Sequence, residues 1–292
     1  MREFISFTLG GISFGMIYAA VGLSLVLIWR ATRILNYAQG GMAMLTTFIA
    51  LTVIHATGSY WEGFGCALLA GLVLGAVIER SVIRLVENKP PLNAIVVTIG
   101  LLVILEGVAG IIYGGQFRSF PAAMSLRGLH AGSTSIALSP NDLFVIGSVL
   151  AVAVALALLF RYTPVGLRMR AAAFEPAIAR LLGVRVGRVL TLGWALAGLI
   201  GALAGVLVSP STFLYPNSMD SIFVLGFTAA VLGGLDSPLG AIVGGLILGI
   251  LLNYVGGYLG SDLVTIFGLA ILMAILMVRP AGLFSAATTR QV

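Results

Sequence analysis

The stretch RYTPVGLRMRAAAFEPAIARLLGVRVGR, residues 161–188, decides how the rest of the chain is laid out. It carries Arg161, Arg168, Arg170, Arg180, Arg185 and Arg188 against one acid, Glu175, and long apolar runs flank it on both sides. Such an excess of arginine in a short loop between apolar spans marks the cytoplasmic side of a membrane. The loop itself contains a predicted short helix. Pro176 suits a first helical turn, residues 177–182 favour helix, and Gly183 can end it. Ile178, Leu181 and Leu182 fall at i, i+3 and i+4 and form one apolar stripe. Two readings of this loop stay open at the level of the residues: a basic segment resting on anionic lipid, or a contact for a cytoplasmic partner protein.

Composition agrees with a membrane setting. Of 292 residues, 60% are hydrophobic and 9% charged, against roughly 25% charged in a soluble domain. Mean hydropathy is +1.12. The net charge of +6 is read as membrane topology and gives no reason to expect a nucleic-acid partner. The single Cys66 lies in an apolar span, so an intrachain disulfide is excluded and a buried, inert thiol is expected. The N-terminal MREF runs directly into an apolar segment without a cleavage pattern, so the first span is expected to stay as a helix.

Runs of about 20 apolar residues can cross a bilayer. The candidates are 4–29, 35–54, 64–83, 94–113, 143–160, 189–208 and 259–278. Between the last two lies 222–255, too long for one ordinary span and interrupted by GGLDSP at 233–238. It is predicted to form two helices, 222–232 and 239–255, joined by a turn; two full crossings and a re-entrant pair both fit. The fold class is therefore an all-α polytopic bundle of about eight or nine transmembrane or re-entrant helices. With 161–188 inside, Arg30, Arg33, Arg84, Lys89, Arg279 and Arg290 fall inside too. The loop 114–141 falls outside, and so does the N-terminus. Glycine pairs four apart, Gly11/Gly15, Gly71/Gly75, Gly201/Gly205, Gly240/Gly244 and Gly245/Gly249, predict close helix packing.

Several chemistries lack their residues. A phosphate-binding loop needs G-x-x-x-x-G-K-[ST], and Lys89 follows Leu85-Val86-Glu87-Asn88 instead. His55 and His130 have no neighbouring Cys or His in sequence and read as external surface residues; no metal site is expected. Hydrolase motifs are not evident. The polar groups inside spans carry the remaining information, because ionisable groups there are costly. Glu106, in LVILEGVAG, is either a hydrogen-bond acceptor between helices or part of a polar pathway. Asn36 and Gln39, in NYAQGG at 36–41, either brace a turn or line a pathway. Glu79 and Arg80 can pair or snorkel near the cytoplasmic end of the third span. Asp236 is expected to cap the helix that follows it.

Three stretches together resemble the branched-chain amino-acid ABC transporter permeases, the LivH-type subunit in particular. GLSLVLIWRATRILNYAQGGMAML (22–45) is similar to their N-terminal signature. RAAAFEPAIARLLGVRVGRV (170–189) resembles their cytoplasmic coupling segment, and FTAAVLGGLDSPLGAIVGGLILGI (227–250) their C-terminal signature. The coupling segment departs from the spacing of many ABC permeases: proline follows Glu175, and Gly183 comes eight residues later. The resemblance implies one permease domain over 1–292 in a bacterial inner-membrane importer, with coupling residues Glu175, Ile178, Arg180, Leu181, Leu182 and Gly183. It implies as partners a second, LivM-type permease, two cytoplasmic ABC ATPases that use ATP and Mg, and a periplasmic substrate-binding protein. This chain would bind no cofactor and catalyse no reaction. The substrate class implied is branched-chain aliphatic amino acids. Related permeases for urea, short amides or other small solutes share these signatures, and an ion-coupled secondary transporter using Glu106 is the rival class.

Overall fold

Inside a lipid core each backbone polar group has to find its partner within its own segment, and the apolar runs accordingly form helices. The computed structural model describes residues 2–87, 89–128, 130–131, 134–135 and 138–284. Helix α1 covers Arg2–Thr32, α2 Gln39–Thr57 and α3 Tyr60–Ile78. A π-helical turn, Glu79–Ile83, extends α3 into the short α4, Arg84–Val86. Then come α5, Pro91–Tyr113, and α6, Pro140–Tyr162. The arginine-rich loop holds α7, Pro164–Phe174, and α8, Pro176–Leu181. Helices α9, Val186–Val208, α10, Asp220–Gly233, α11, Pro238–Tyr258, and α12, Leu263–Val278, complete the order. A two-residue antiparallel ladder, His130–Ala131 with Thr134–Ser135, is the only named sheet among the described residues. Among the described residues seven helices are long and apolar enough to cross a membrane, and α10 and α12 are shorter apolar helices, in keeping with the eight or nine expected.

Helix α1 is the axis of the bundle. Of its most apolar stretch 89% is buried, against 17% for α5 and α6. It packs most extensively on α11, where Gly11 and Gly15 face Gly245, Gly249 and Ile250 backbone to backbone. Helices α3 and α9 meet the same way, Gly71 against Gly198 and Gly75 against the Trp194 carbonyl. These contacts are the close packing that the glycine spacing predicts. The first turn of α6 carries a capping box, Ser139 with Asp142, and Ser13 of α1 donates to the same Asp142 carboxylate at 2.7 Å.

The interrupted segment resolves into a short and a long helix. Fourteen-residue α10 is about 21 Å long at 1.5 Å per residue, less than the lipid core, whereas α11 is long enough to span. Their turn sits at the Arg33 end of α1, and the far end of α11 lies against Phe7 and Thr8. The N-terminus is thus opposite the arginine-rich end, as the charge count requires. Arg290 lies outside the described residues.

Three expectations need correction. Asp236 does not cap α11. Pro238 is the first helical residue, so the cap position falls to Ser237, whose hydroxyl accepts from the Gly240 N–H at 3.0 Å. Asp236, one place earlier, is free to pair with Arg33. Glu79 pairs with Arg84, not Arg80: the π turn carries Arg84 back over the Glu79 carboxylate, 3.0 Å away. Cys66 is exposed, because α3 buries the face carrying Gly63, Ala67, Gly71 and Gly75 and turns Cys66 outward.

Candidate functional site

Two non-helical segments enter the bundle and meet. Residues 33–38 leave the Arg33 end of α1 with Arg33 itself in the left-handed region, φ 57°. They rise to Gln39, which lines a small cavity with Gly40, Val21, Met219 and Ile222. Val21 is about 16 Å along α1 from its Thr32 end at 1.5 Å per residue. Helix α2 therefore starts deep inside, and α10 starts beside it, with Phe223 and Met219 against Gly40. Non-helical backbone at such depth is tolerated only where protein covers it or where it lines a polar path. Neither helix start has a side-chain cap; the Gln39 and Asp220 N–H groups donate to the Asn36 and Asn217 carbonyls, each at 3.3 Å, and the positive dipole ends of both helices lie here.

Asn36 and Gln39 are brought together here and are both buried. The Asn36 amide donates to Gln39 Oε1 at 3.0 Å and its Oδ1 accepts from the Ala38 N–H. Gln39 Nε2 donates to the Ala197 carbonyl of α9 at 2.9 Å, across the surface left bare by Gly201. Their amides hold the entry loop to α9. Glu106 stands apart from this network. It is half-buried on α5 and faces Asn217 and Asp220, both exposed, at the start of α10. Below them α10 presents Phe223 and Phe227, stacked at 6.4 Å, with Tyr37 6.1 Å from Phe223. The arrangement is two carboxyls and an amide at depth, two helix N-termini close by, and an aromatic wall. Its charges complement those of a small solute that carries both a positive and a negative group.

The arginine-rich loop is built from two helices that break at Glu175. Helix α8 ends in a Schellman turn: Val184 N–H donates to Ala179 O at 2.9 Å, Gly183 N–H to Arg180 O at 3.0 Å, and Gly183 has φ +83°. Ala179 is buried with Ala172, Val186 and Leu190 and anchors α8 to the start of α9. The other face is uncovered. Ile178 is 55% exposed, Leu181 87% and Leu182 77%. Arg180 and Glu175 are exposed as well. Burial, and after it the Glu79 carboxylate, pushes the Glu87 carboxyl above its usual range, while Arg180 and Arg84 oppose the shift.

Asn217 and Asp220 are absent from the sequence reading, because PNSMDS at 216–221 looks like an ordinary loop; an acid directly before an apolar run was the available signal. Phe174, 91% exposed, is absent too, since Glu175-Pro176 separates it from the predicted helix although it precedes Ile178 by four. His55 is exposed as expected; only the backbone of His130 is described. Among the described residues no three His, Cys, Asp or Glu side chains gather as a metal site would require.

Residues 7–277 match the family described as the permease component of the branched-chain amino acid transport system. The chain is 27% identical to the high-affinity branched-chain amino acid transport system permease protein LivH of Salmonella typhimurium, covering 96% of this chain and 95% of that one. It is 24% identical to a probable LivH of Methanocaldococcus jannaschii, over 94% and 90%. A xylose/arabinose import permease of Sulfolobus acidocaldarius is 32% identical over 62% of this chain and 47% of its own. Among solved structures, PsaBC from Streptococcus pneumoniae in complex with Fab shares the fold, with a TM-score of 0.53 and 14% identity over 95% and 91% of the two chains.

Proposed function

The chain belongs to the permease family of the branched-chain amino acid transport system, and on that premise we propose that it forms half of the translocation path of an ATP-driven importer for branched-chain aliphatic amino acids. It is a multi-pass membrane protein; the bacterial inner membrane is the proposed site. The proposed partners are a LivM-type permease, two cytoplasmic ATPases that supply ATP and Mg chemistry, and a periplasmic binding protein. One observation carries the reading: Glu106, Asn217 and Asp220 form a polar cluster open on the surface at membrane depth. Ionisable groups facing lipid are costly, so this face belongs against a second permease, around a polar path.

The chemistry of the cluster suits an amino acid. Its ammonium is attracted to the two carboxyls, and its carboxylate to the uncapped starts of α2 and α10. The aromatic wall of Tyr37, Phe223 and Phe227 suits an aliphatic side chain. Asn36 and Gln39 serve this path indirectly, by holding the loop that sets the start of α2. Helix α8, with Glu175, Ile178, Arg180, Leu181, Leu182 and Gly183, seats in a groove of an ATPase, so that ATPase closure moves the bundle.

Uptake by proteoliposomes holding the whole importer tests this, with leucine, leucinamide, isocaproate, urea and xylose as alternative solutes. ATP-dependent entry of leucine, with poor entry of the two analogues that each lack one charge, is expected. Equal entry of xylose or urea would overturn the substrate class. Uptake that survives ATP removal and collapses with an ion gradient would replace the importer by a secondary transporter.

A further inference from the structure

A second feature lies at the arginine-rich end, away from the path. The π turn after α3 and the start of α9 border an open cavity of about 590 Å³. Arg80, Arg84, Arg180, Arg185 and Arg188 line it, together with Thr191. One of these cations is already matched. Arg84 donates to Glu79, to the Gly187 carbonyl at 3.1 Å and to Thr191 Oγ1 at 2.9 Å, which fixes the back wall. Of the acids nearby, Glu79 is buried in that network and Glu87 lies towards Arg84 and Arg180. Arg80, Arg185 and Arg188 are exposed and make no ion pair among the described residues. The α9 N-terminus at Val186 has no side-chain cap and adds its dipole to theirs.

The cavity is not an isolated basic surface. On α3 an uncovered apolar row, Leu69, Val73 and Val77, runs down the membrane depth and continues into Arg80 and Ser81. This row lies on the outward face of α3, the side of Cys66, opposite the Gly71 and Gly75 contact with α9, and Arg80 carries it into the arginine-lined cavity. Row and cavity together match an amphiphile: apolar along the span and strongly cationic at the arginine-rich end.

We propose that this cavity and the α3 face leading to it bind an anionic phospholipid, with the phosphate held among Arg80, Arg185 and Arg188 and an acyl chain lying along Leu69, Val73 and Val77. The charge complementarity selects an anionic over a zwitterionic headgroup, and the apolar row selects a lipid over a soluble phosphate. The site sits directly behind α8, since Arg180 of that helix and Gly183 of the turn that ends it both line the cavity. A lipid there fixes the position of the coupling loop relative to α3. The inference does not depend on what solute the path carries.

Native mass spectrometry of the full chain with its co-purifying subunits, released from nanodiscs of phosphatidylglycerol and phosphatidylcholine, tests the site. Retention of phosphatidylglycerol is expected. In the variant Arg185→Gln/Arg188→Gln, retention should fall roughly 25-fold, at about fivefold per arginine removed beside an anionic surface. Arg127→Gln, at the opposite end, should leave it unchanged. Val77→Gln should also reduce retention, which a site for free phosphate would not show. Size-exclusion profiles of the variants confirm that the assembly is intact; a variant that fails to assemble is replaced by Arg185→Lys/Arg188→Lys, which should retain lipid. Equal retention of both lipids, unchanged retention in Arg185→Gln/Arg188→Gln, or displacement of the bound lipid by millimolar inorganic phosphate would each overturn the proposal. A co-purifying subunit that protects Leu69, Val73 and Val77 from solvent labelling would overturn it too.

Discussion

Leu181→Asp is the sharpest test of the coupling surface. Leu181 is 87% exposed, and Phe174, Ile178 and Leu182 extend the same uncovered face. Seating this face in an ATPase groove removes each side chain from water, worth about 1.5–3 kcal/mol per large apolar residue. Because Leu181 starts almost fully exposed, nearly all of that gain comes from docking and almost none from folding. The aspartate forfeits about 2 kcal/mol of burial and adds the cost of desolvating a carboxylate without a partner. A loss of at least 2 kcal/mol weakens association about thirtyfold. The fold of this chain should hardly notice, since exposed substitutions usually fall within about 0.5 kcal/mol. Affinity purification through a tag on this chain, at equal membrane expression, should therefore recover little ATPase from Leu181→Asp. Arg180→Ala, at the rim, should recover nearly the wild-type amount. Ala179→Asp is the folding control: it puts a charge at a buried anchor and should lower expression itself. Wild-type ATPase recovery together with wild-type uptake in Leu181→Asp would refute the reasoning.

Three further predictions concern ionisable groups. Glu106→Gln keeps an acceptor beside Asp220 and should slow leucine uptake about tenfold, the scale of one hydrogen bond to a charged group, whereas Glu106→Leu should abolish it; initial rates in proteoliposomes decide, and equal rates would remove Glu106 from the path. Glu79→Ala leaves Arg84 without its carboxylate and Thr191 with only the Gly187 carbonyl to donate to, and should cost about 3 kcal/mol, read as a lowered melting temperature with Glu79→Gln intermediate. For Glu87 the folded state holds the proton more tightly than the unfolded chain, because burial disfavours the carboxylate. Its ionisation therefore subtracts stability as pH rises from the ordinary glutamate range to the raised value, and Glu87→Gln should remove that slope. Melting curves between pH 4 and pH 7, a range about the ordinary glutamate value, would show a parallel variant if the carboxyl were not shifted.

What the chain's one-dimensional pattern determines is what depends on distance along it. Apolar run length, arginine asymmetry and glycine spacing yield the helices, their direction and their tight contacts, since lipid permits few other solutions. Helix α8 was legible for the same reason: Pro176, the stripe at 178, 181 and 182, and Gly183 are local signals, and its cap is made within six residues. Depth and partnership are not local. Which helix is the axis could not be read from hydropathy, because lipid and protein interior are equally apolar and α1 resembles the peripheral helices in composition. Cys66 was misplaced on that account. Asp236 was misread because its partner Arg33 is 203 residues away. The cluster of Glu106 with Asn217 and Asp220 exists only because α10 begins at membrane depth, beside the start of α2, instead of at the membrane surface. Only the tertiary structure decided that start, through the packing of Met219 and Phe223 on Gly40, a contact between residues about 180 positions apart in the chain.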